Sequence, residues 1–288
     1  METPSADLSF DLDAGAVART VSGALEEDLG TGDLTADLID EGTAGKAEVR
    51  VREACILCGT PWFTEVFRQL CAWEVVQWRY TDGARIDADT VICTLDGPAR
   101  VLLTGERTAL NFLQLLSATA TTTGMYVDAV KDTGARILDT RKTIPGLRAA
   151  QKYAVRCGGG ENHRQGLYDA ILIKENHIAA AGSIGAAAAA ARSASPSVMI
   201  EVEVETLDDL REALASDVDR VMLDNFSLAQ LKAGVLEREA RNPSIELEAS
   251  GGVDLDQVRA VAQTGVDFIS VGALTKHTRA IDFSMRLL

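Results

Sequence analysis

The feature that most constrains this sequence is a regular alternation of short apolar segments and helical segments from Arg136 onward. Helical stretches such as LRAAQKYAVRCG, LDDLREALA and DQVRAVAQTG separate the apolar segments. The apolar segments are RILD, AILIK, MIEVEVE, RVMLDN, IELEAS and DFISVG. Because parallel neighbouring strands need helical crossovers, six such units predict a parallel sheet surrounded by helices. The alanine run from Ala186 to Ala191 fits a helix packed closely on that sheet.

Polar or glycine residues follow all six predicted strands, and this distribution bears on the topology. An open doubly wound sheet concentrates its ligand groups at one switch point, whereas a barrel collects them from every strand end at one rim. The strand ends carry DTRK at 139–142, KENH at 174–177, Glu201 with Glu203, DN at 224–225, Glu248 with SGG at 250–252, and Gly272. The sequence therefore favours an α/β barrel built from about six β/α units.

The N-terminal part of the chain lacks this repeat and predicts an α+β domain. Apolar residues recur every four positions from Val17 to Leu25, which indicates a helix over 14–28. A second helix is expected to open at Pro61, and a long one to run from Gly105 to Lys131. Strands are predicted over 46–58, 73–80, 90–95 and 99–104. The predicted domains are 1–112, an α+β sandwich; 113–276, the catalytic barrel; and 277–288, a tail that returns to the N-terminal domain.

Positive charge is concentrated between Arg136 and Lys174. This segment has eight basic and three acidic residues, whereas the whole chain carries a net charge of −15. The overall charge disfavours nucleic acid or an anionic membrane as a partner, and the local basic zone indicates a site for a small anion. Arginine and lysine side chains at loops and strand ends are expected to contact that anion. These side chains are Arg141, Lys142, Arg164 and Lys174, whereas Arg148, Lys152 and Arg156 have the spacing of a helix surface.

His163 precedes Arg164 in the segment GGGENHR. Glycines allow the backbone to approach a ligand closely, so we expect His163 to contact the anion as well. His177 and His277 fit structural roles. The glycines at 158–160 match neither the dinucleotide fingerprint GxGxxG nor the Walker loop, which disfavours NAD as a cofactor and ATP hydrolysis.

Two acidic residues, Glu203 and Asp224, end adjacent predicted strands 21 residues apart. Carboxylates so placed can bind Mg²⁺, bind ribose hydroxyls or stabilise a cationic sugar transition state. The alternative is that both form salt bridges with nearby basic residues. The later segment LEASGG at 247–252 leads into a helix, and Gly272–Ala273 follows the last strand. Free backbone N–H groups at such turns suit a phosphate.

Compartment and redox state are also indicated by the sequence. No apolar run reaches the roughly 18 residues of a membrane span, and METPSADLSFDLDAG lacks the basic and apolar regions of an export signal. We therefore expect a cytoplasmic protein without a membrane partner. The five scattered cysteines argue against a disulfide framework. Cys55 and Cys58 have CxxC spacing but no second ligand pair, so we interpret them as core residues and not as half of a zinc site.

Longer motifs carry a resemblance that spans nearly the full length. They are EEDLGTGDLT, GERTALNFLQLLS, DTRKTIPGLRAAQKYAVRCGGGENHR, DAILIKENHI, IEVEVE, VMLDNF, EASGGV and VGALTKH. Together they resemble the quinolinate phosphoribosyltransferase family, also called carboxylating nicotinate-nucleotide pyrophosphorylases. The resemblance implies conversion of quinolinate and phosphoribosyl pyrophosphate, with Mg²⁺, into nicotinate mononucleotide, pyrophosphate and CO₂ for NAD biosynthesis. It also implies a fold in which an N-terminal α+β sandwich is joined to an incomplete α/β barrel. The family's homodimer places one subunit's N-terminal domain over the other's barrel mouth.

The resemblance further implies roles for individual residues. The residues implied to bind quinolinate are Arg107 acting in the neighbouring subunit's site, Arg141, His163, Arg164 and Lys174. Thr140 is expected among the substrate-binding residues. Lys142 is implied to face phosphate or pyrophosphate, and Glu203 and Asp224 to serve the ribose hydroxyls and, directly or indirectly, the metal. Those implied to hold the 5′-phosphate are Ser250, Gly251, Gly252, Gly272 and Ala273. Lys142, Lys174, Glu203 and Asp224 form the implied catalytic set. The segment SATAT at 117–121 departs from the family's more usual SGIAT.

Two other interpretations are open at this stage. Lys174 on a barrel strand could form a Schiff base, as in an aldolase, and borohydride trapping with substrate would reveal it. The chain could instead be a paralogue that keeps the fold but only binds or regulates. The complete set of basic and acidic positions favours the enzyme, because a protein without turnover would not need every charged residue.

Overall fold

The computed structural model describes residues 12–288. Most of the segment METPSADLSFDLDAG, from which we expect no export signal, lies outside the described residues. The helices are α1 (Ala14–Leu29), α2 (Thr60–Leu70), α3 (Ala99–Val130), α4 (Arg148–Cys157), α5 (Glu175–Ala181), α6 (Ile184–Ala194), α7 (Leu207–Leu214), α8 (Leu228–Arg241), α9 (Val258–Ala262) and α10 (Ala273–Lys276). The strands are β1 (Ala44–Val51), β2 (Cys55–Ile56), β3 (Val76–Trp78), β4 (Arg85–Ile86), β5 (Val91–Pro98), β6 (Arg136–Leu138), β7 (Ile171–Ile173), β8 (Ile200–Val204), β9 (Arg220–Asp224), β10 (Glu246–Ser250), β11 (Phe268–Ser270) and β12 (Phe283–Leu287).

The chain forms two compact units whose boundaries differ from a simple division at residues 112 and 276. The first unit contains the described residues up to Thr122 together with Ile144–Gly159 and His277–Leu288. The second contains Thr123–Thr143 and Gly160–Lys276. Helix α4 belongs to the first unit because its buried residues Ala150, Ala154 and Cys157 are part of that unit's hydrophobic core. A sequence pattern of strand and helix does not show which core a crossover helix will join.

The first unit is built on a four-stranded antiparallel sheet with the strand order β12-β1-β5-β3. The C-terminal strand β12 pairs with β1 through contacts such as Val49 opposite Met285. Strands β2 and β4 form a separate two-stranded sheet. Helix α1 buries Val17, Val21 and Leu25, as their spacing predicts. The predicted α+β character of this region is confirmed.

One predicted element of this unit is wrong. Residues 99–104 were expected to form a strand, but β5 ends at Pro98 and the segment is the start of α3. Its apolar residues continue the spacing of the helix: Ala99 and Leu102 are buried, as are Leu110, Leu113 and Leu116 farther along. A short apolar segment such as ARVLLT fits a strand or a buried helix equally well, and here the longer periodicity decides.

The cysteines behave as core residues. Cys55, Cys58, Cys93 and Cys157 are buried, Cys71 is partly buried, and all five are free thiols. Burial raises the pKa of the Cys55 thiol to about 12, so it stays protonated at neutral pH. Among the described residues, the only cysteines in a potential metal-ligand cluster are Cys58 and Cys157, with Asp82, and Cys55 is not in it. Cys55 and Cys58 therefore do not share a cluster of potential metal ligands.

The second unit contains all six predicted strands in one parallel sheet with the order β6-β11-β10-β9-β8-β7. A closed barrel of these strands would also pair β6 with β7, and among the described residues no such ladder is present. The Glu161 segment instead forms a parallel bridge to β6 at Leu138. The predicted incomplete α/β barrel is confirmed. No helix in the described part of the chain has the length and apolarity needed to cross a membrane.

Alternation along the strands divides the second unit's sheet into two faces. On one face the side chains are apolar and fully buried, including Val202, Val221, Leu223 and Leu247. The other face carries the polar row that includes Glu201 and Glu203 on β8, opposite Arg220 and Met222 on β9. Successive strand residues point to opposite faces, so the apolar row packs against the helices and the polar row faces the barrel interior.

Candidate active site at the barrel mouth

A cavity of about 310 Å³ opens at the carboxyl ends of the parallel strands in the second unit. Nine residues singled out from the sequence line it: Thr140, Arg141, Lys142, His163, Arg164, Lys174, Glu203, Asp224 and Ser250. Four further lining residues, Leu172, Met222, Glu248 and Ser270, were not assigned a role from the sequence. The expected convergence of strand ends on one rim is therefore realised for most of the candidate set.

Two arginines give the cavity its positive character. Nε of Arg141 and Nε of Arg164 are both buried and have no hydrogen-bond partner within residues 12–288. Arg164 Nη1 donates to the carbonyl of Ala170 at 3.2 Å, which anchors the guanidinium at one edge. Burial lowers the pKa of Arg164, and the neighbouring Arg141 cation lowers it further. Buried guanidinium donors without a protein partner suit an anionic ligand.

Lys142 is held at the rim by backbone contacts. Its N–H donates to Thr140 Oγ1 at 3.1 Å, and its carbonyl accepts from Thr275 Oγ1 at 3.0 Å. A Cβ at Gly272 would lie only 3.2 Å from Lys142 Cδ, so Gly272 leaves room for the lysine stem. The backbone around Lys142 is thus fixed while its charged end stays exposed.

The two predicted acids line the same cavity from adjacent strands. The Glu203 carboxylate forms an ion pair with Lys174 Nζ, with side-chain exposures of 13% and 42% respectively. Asp224 Oδ2 accepts a hydrogen bond from Asn225 Nδ2 at 2.7 Å. Glu203 thus forms the salt bridge that was the alternative to a role in ligand binding. The pair nevertheless lies in the wall of the cavity, where a ligand can reach both charges.

A buried polar network lies behind the rim. His163 Nε2 is 2.7 Å from Glu201 Oε2 and 3.7 Å from Glu248 Oε2. Burial raises the pKa of Glu201, and burial together with the Glu201 charge raises the pKa of Glu248 to about 8. Both glutamates are among the polar residues of the predicted strand ends, but the sequence suggested no role for either. The alternation of side chains along a strand could have identified both glutamates. It places Glu201 on the same face as Glu203, and Glu248 on the same face as Ser250.

The remaining candidate residues do not line this cavity. Gly251 and Gly252 have φ values of 109° and 62°, a left-handed conformation that favours glycine. Gly251 lines a neighbouring cavity of about 400 Å³ between the loops that follow β9 and β10. Gly272 and Ala273 lie where β11 leads into α10. Arg107 is an exposed residue of α3 in the first unit.

Two family profiles cover most of the chain. The profile of the quinolinate phosphoribosyl transferase N-terminal domain matches residues 33–117, and that of the C-terminal domain matches residues 119–286. The chain belongs to the quinolinate phosphoribosyltransferase family. The proposed resemblance is thus confirmed.

Relatives of this quinolinate phosphoribosyltransferase family member match along its whole length. Nicotinate-nucleotide pyrophosphorylase [carboxylating] of Mycobacterium leprae is 43% identical over 98% of this chain and 99% of its own. A probable enzyme of the same name from Bacillus subtilis is 44% identical over 90% of this chain and 89% of its own. The solved structure of the nicotinate-nucleotide pyrophosphorylase from Francisella tularensis is 45% identical, covers 99% of this chain and 100% of its own, and superposes with a TM-score of 0.92.

Proposed function

We propose that this protein transfers the phosphoribosyl group of phosphoribosyl pyrophosphate to quinolinate with loss of CO₂. The products would be nicotinate mononucleotide, pyrophosphate and CO₂, which places the reaction in NAD biosynthesis. The observation that carries the proposal is the barrel-mouth cavity, in which buried guanidinium donors without partners and rim carboxylates face one space. A planar dianion and a phosphorylated sugar need these two kinds of group together.

The cations support binding of the pyridine substrate. Quinolinate carries two adjacent carboxylates, and the cavity offers donors for both. The residues assigned to them are Arg141, His163, Arg164 and Lys174, with Thr140 beside them. Lys142, whose charged end is exposed at the rim, is assigned to the pyrophosphate.

The phosphoribosyl group is assigned to the loops that follow β10 and β11. Ser250 and the glycines at 251, 252 and 272, with Ala273, would surround the 5′-phosphate with backbone N–H groups. Glu203 and Asp224 would bind the ribose hydroxyls. Their carboxylate oxygens are also ligands that Mg²⁺ prefers, so the donor set fits this ion, held directly or through water. Mg²⁺ bound here with phosphoribosyl pyrophosphate would neutralise charge on the departing pyrophosphate.

The reaction follows from this placement. The quinolinate nitrogen attacks C1 of the ribose, the C1–O bond to pyrophosphate breaks, and the cationic sugar that develops is stabilised by Glu203 and Asp224. The quaternised ring nitrogen then accepts electron density, so the adjacent carboxylate leaves as CO₂ and the ring carbon takes up a proton. For this second step the protein needs only to orient the carboxylate and exclude water around it.

We further propose that the protein is a homodimer in which Arg107 of one subunit completes the partner's site. We also propose that the enzyme acts in the cytoplasm. Arg107 is exposed on α3, as a residue that serves a neighbouring subunit must be. Free thiols at all five cysteines fit a reducing compartment.

A direct assay tests the proposal. Purified protein is incubated with quinolinate, phosphoribosyl pyrophosphate and Mg²⁺, with EDTA in a parallel reaction, and nicotinate mononucleotide is measured. Product that depends on both substrates and on the metal is expected. Tight quinolinate binding without any product would reject the enzyme and indicate a binding paralogue.

A further inference from the structure

The strongest unassigned feature of the second unit is the buried group formed by His163, Glu201 and Glu248. His163 is 8% exposed, and both glutamates are 0% exposed. Buried carboxyl groups are costly to desolvate, and each needs a compensating partner. Among the three, only His163 and Glu248 reach the cavity wall, so Glu201 acts through its neighbours.

His163 is fixed at two points. Its ring Nε2 lies 2.7 Å from Glu201 Oε2, and its backbone N–H donates to Asp139 Oδ1 at 2.9 Å. Asp139 is itself fully buried and accepts a second hydrogen bond, from Asn162 Nδ2 at 2.7 Å. The ring therefore has a defined rotation, with Nε2 directed at Glu201.

Glu248, on β10, lies beside this pair. One carboxylate oxygen of Glu201, one of Glu248 and a ring nitrogen of His163 all lie within 4.8 Å of one another. Arg220 Nη1 lies 3.5 Å from Glu248 Oε2, and its guanidinium stacks 3.8 Å from the centre of the Phe268 ring. A chain of polar contacts thus runs from the barrel interior to the imidazole at its mouth.

We propose that Glu201, supported by Glu248, is a positioning residue that orients His163 toward a carboxylate of the pyridine substrate. The inference rests on the proposed function and assigns a role to residues that do not touch the substrate. The ring nitrogen bonded to Glu201 is no longer available to a ligand. The rest of the ring is held rigidly where it lines the cavity. Orientation set in advance reduces the entropy lost on binding.

The first test is a kinetic comparison of Glu201→Gln with Glu205→Gln. Glutamine keeps the size of Glu201 but removes the carboxylate that lies beside His163 Nε2. The KM for quinolinate should rise about tenfold, the lower end of the loss seen when a partner that orients an imidazole is removed. The KM for phosphoribosyl pyrophosphate should stay within about twofold. Glu205 lies just beyond the same strand and is exposed, so Glu205→Gln should match the unsubstituted protein.

A spectroscopic test follows the imidazole itself. The chain has three histidines, so ¹⁵N-edited NMR of the ring N–H groups is simple to interpret, and His163→Gln assigns the signal. In the unsubstituted protein the His163 Nε2–H should be shifted downfield and protected from exchange. Glu201→Gln should move it upfield, whereas Glu205→Gln should not. A purely structural role for Glu201 would not require a coupled change in this signal and in the KM for quinolinate.

The outcomes separate this inference from the proposed function. If the unsubstituted protein forms no nicotinate mononucleotide, the proposed function fails, and the inference fails with it. If that protein is active but Glu201→Gln retains its KM for quinolinate, only the positioning role is wrong. Should Glu201→Gln not fold, Glu248 decides: Glu248→Leu should raise the KM for quinolinate, whereas the control Glu205→Gln should not. Equal KM values for these two variants would overturn the proposal.

Discussion

Lys174 and Glu203 form an ion pair across the neighbouring strands β7 and β8. The site therefore neutralises one of its own cations with one of its own acids. Both charges are already compensated, so each remains stable in the cavity wall until substrate arrives. Binding of an anion at Lys174 and of ribose hydroxyls at Glu203 would then exchange one set of partners for another.

The first prediction concerns the two rim acids. Glu203→Ala and Asp224→Ala should each lower kcat by about 10²- to 10³-fold, the usual loss for one group that stabilises transition-state charge. Circular dichroism should show that both variants fold. Exposed Glu205→Ala serves as the control and should keep its activity. Loss of folded protein in the Glu203 variant would instead indicate that its pair with Lys174 is mainly structural.

The second prediction concerns substrate choice. Quinolinate should be used, whereas nicotinate and nicotinamide should not, because the missing carboxylate would leave Arg141 or Arg164 buried without a partner. The measurement is kcat/KM for each pyridine with saturating phosphoribosyl pyrophosphate. Comparable values for nicotinate and quinolinate would contradict the assignment of the two arginines.

The third prediction concerns the sharing of active sites. Arg107→Ala and Lys174→Ala homodimers should each be nearly inactive, because each variant lacks one carboxylate contact in both sites. If Arg107 acts in the partner's site, a mixed dimer of the two variants places both lesions in one site and leaves the other site intact. Activity should then recover toward half of that of the unsubstituted dimer. Verified heterodimers without recovery would reject the shared site while leaving the enzyme assignment in place.

The fourth prediction uses two glycines with the same backbone requirement. Gly251 and Gly134 both have positive φ, so alanine should cost each position about 1 kcal/mol of stability. A Cβ at Gly251 would also collide with the side chain of Asn225, which hydrogen-bonds to Asp224, whereas a Cβ at Gly134 meets nothing within 4 Å. Gly251→Ala should therefore lower activity and raise the KM for phosphoribosyl pyrophosphate. Gly134→Ala should change stability only.

The fifth prediction is a pH dependence of stability. The folded protein holds a proton on Glu248 up to about pH 8, whereas an unfolded glutamate releases it near 4.5. The stability contributed by this proton is complete below the unfolded pKa and is lost as the pH rises through the folded pKa. In Glu248→Gln, chemical denaturation should show a free energy of unfolding that falls less steeply over this range.

The control for this pH experiment is Glu237→Gln. Hydrogen bonds from Arg211 and Arg241 lower the pKa of Glu237 to about 2, so it is ionised in both states throughout the same range. The substitution should therefore shift stability by a constant amount. An unchanged slope in Glu248→Gln would show that Glu248 does not hold the proton.

Much of the barrel could be predicted because its strands are short apolar runs that end in polar residues. All six were located, and nine of the residues chosen at or near their ends line one cavity. What could not be predicted depends on tertiary packing. The segment ARVLLT has no local signal that separates a strand from a helix. The unit to which α4 belongs is evident only from the hydrophobic core that Ala150 and Ala154 join.

Glu201 illustrates a different limit. In the run EVEVE the glutamates at 201, 203 and 205 share one strand face, yet the first is buried, the second partly buried and the third exposed. Depth along the barrel axis, and not residue type, separates their roles. Alternation predicts which face a side chain takes but gives no information on how deep it lies.

The pairing of β1 with β12 has a consequence for biosynthesis. The ribosome delivers β1 early, but its edge partner emerges only after almost the whole chain has been made. Until then the N–H and C=O groups of that edge are unpaired, as in any exposed strand that can recruit another chain. Every segment of the second unit leaves the ribosome before β12 does. The first unit can therefore complete its sheet only after every segment of the second unit has been made, whereas N-terminal domains usually complete their folding first during translation.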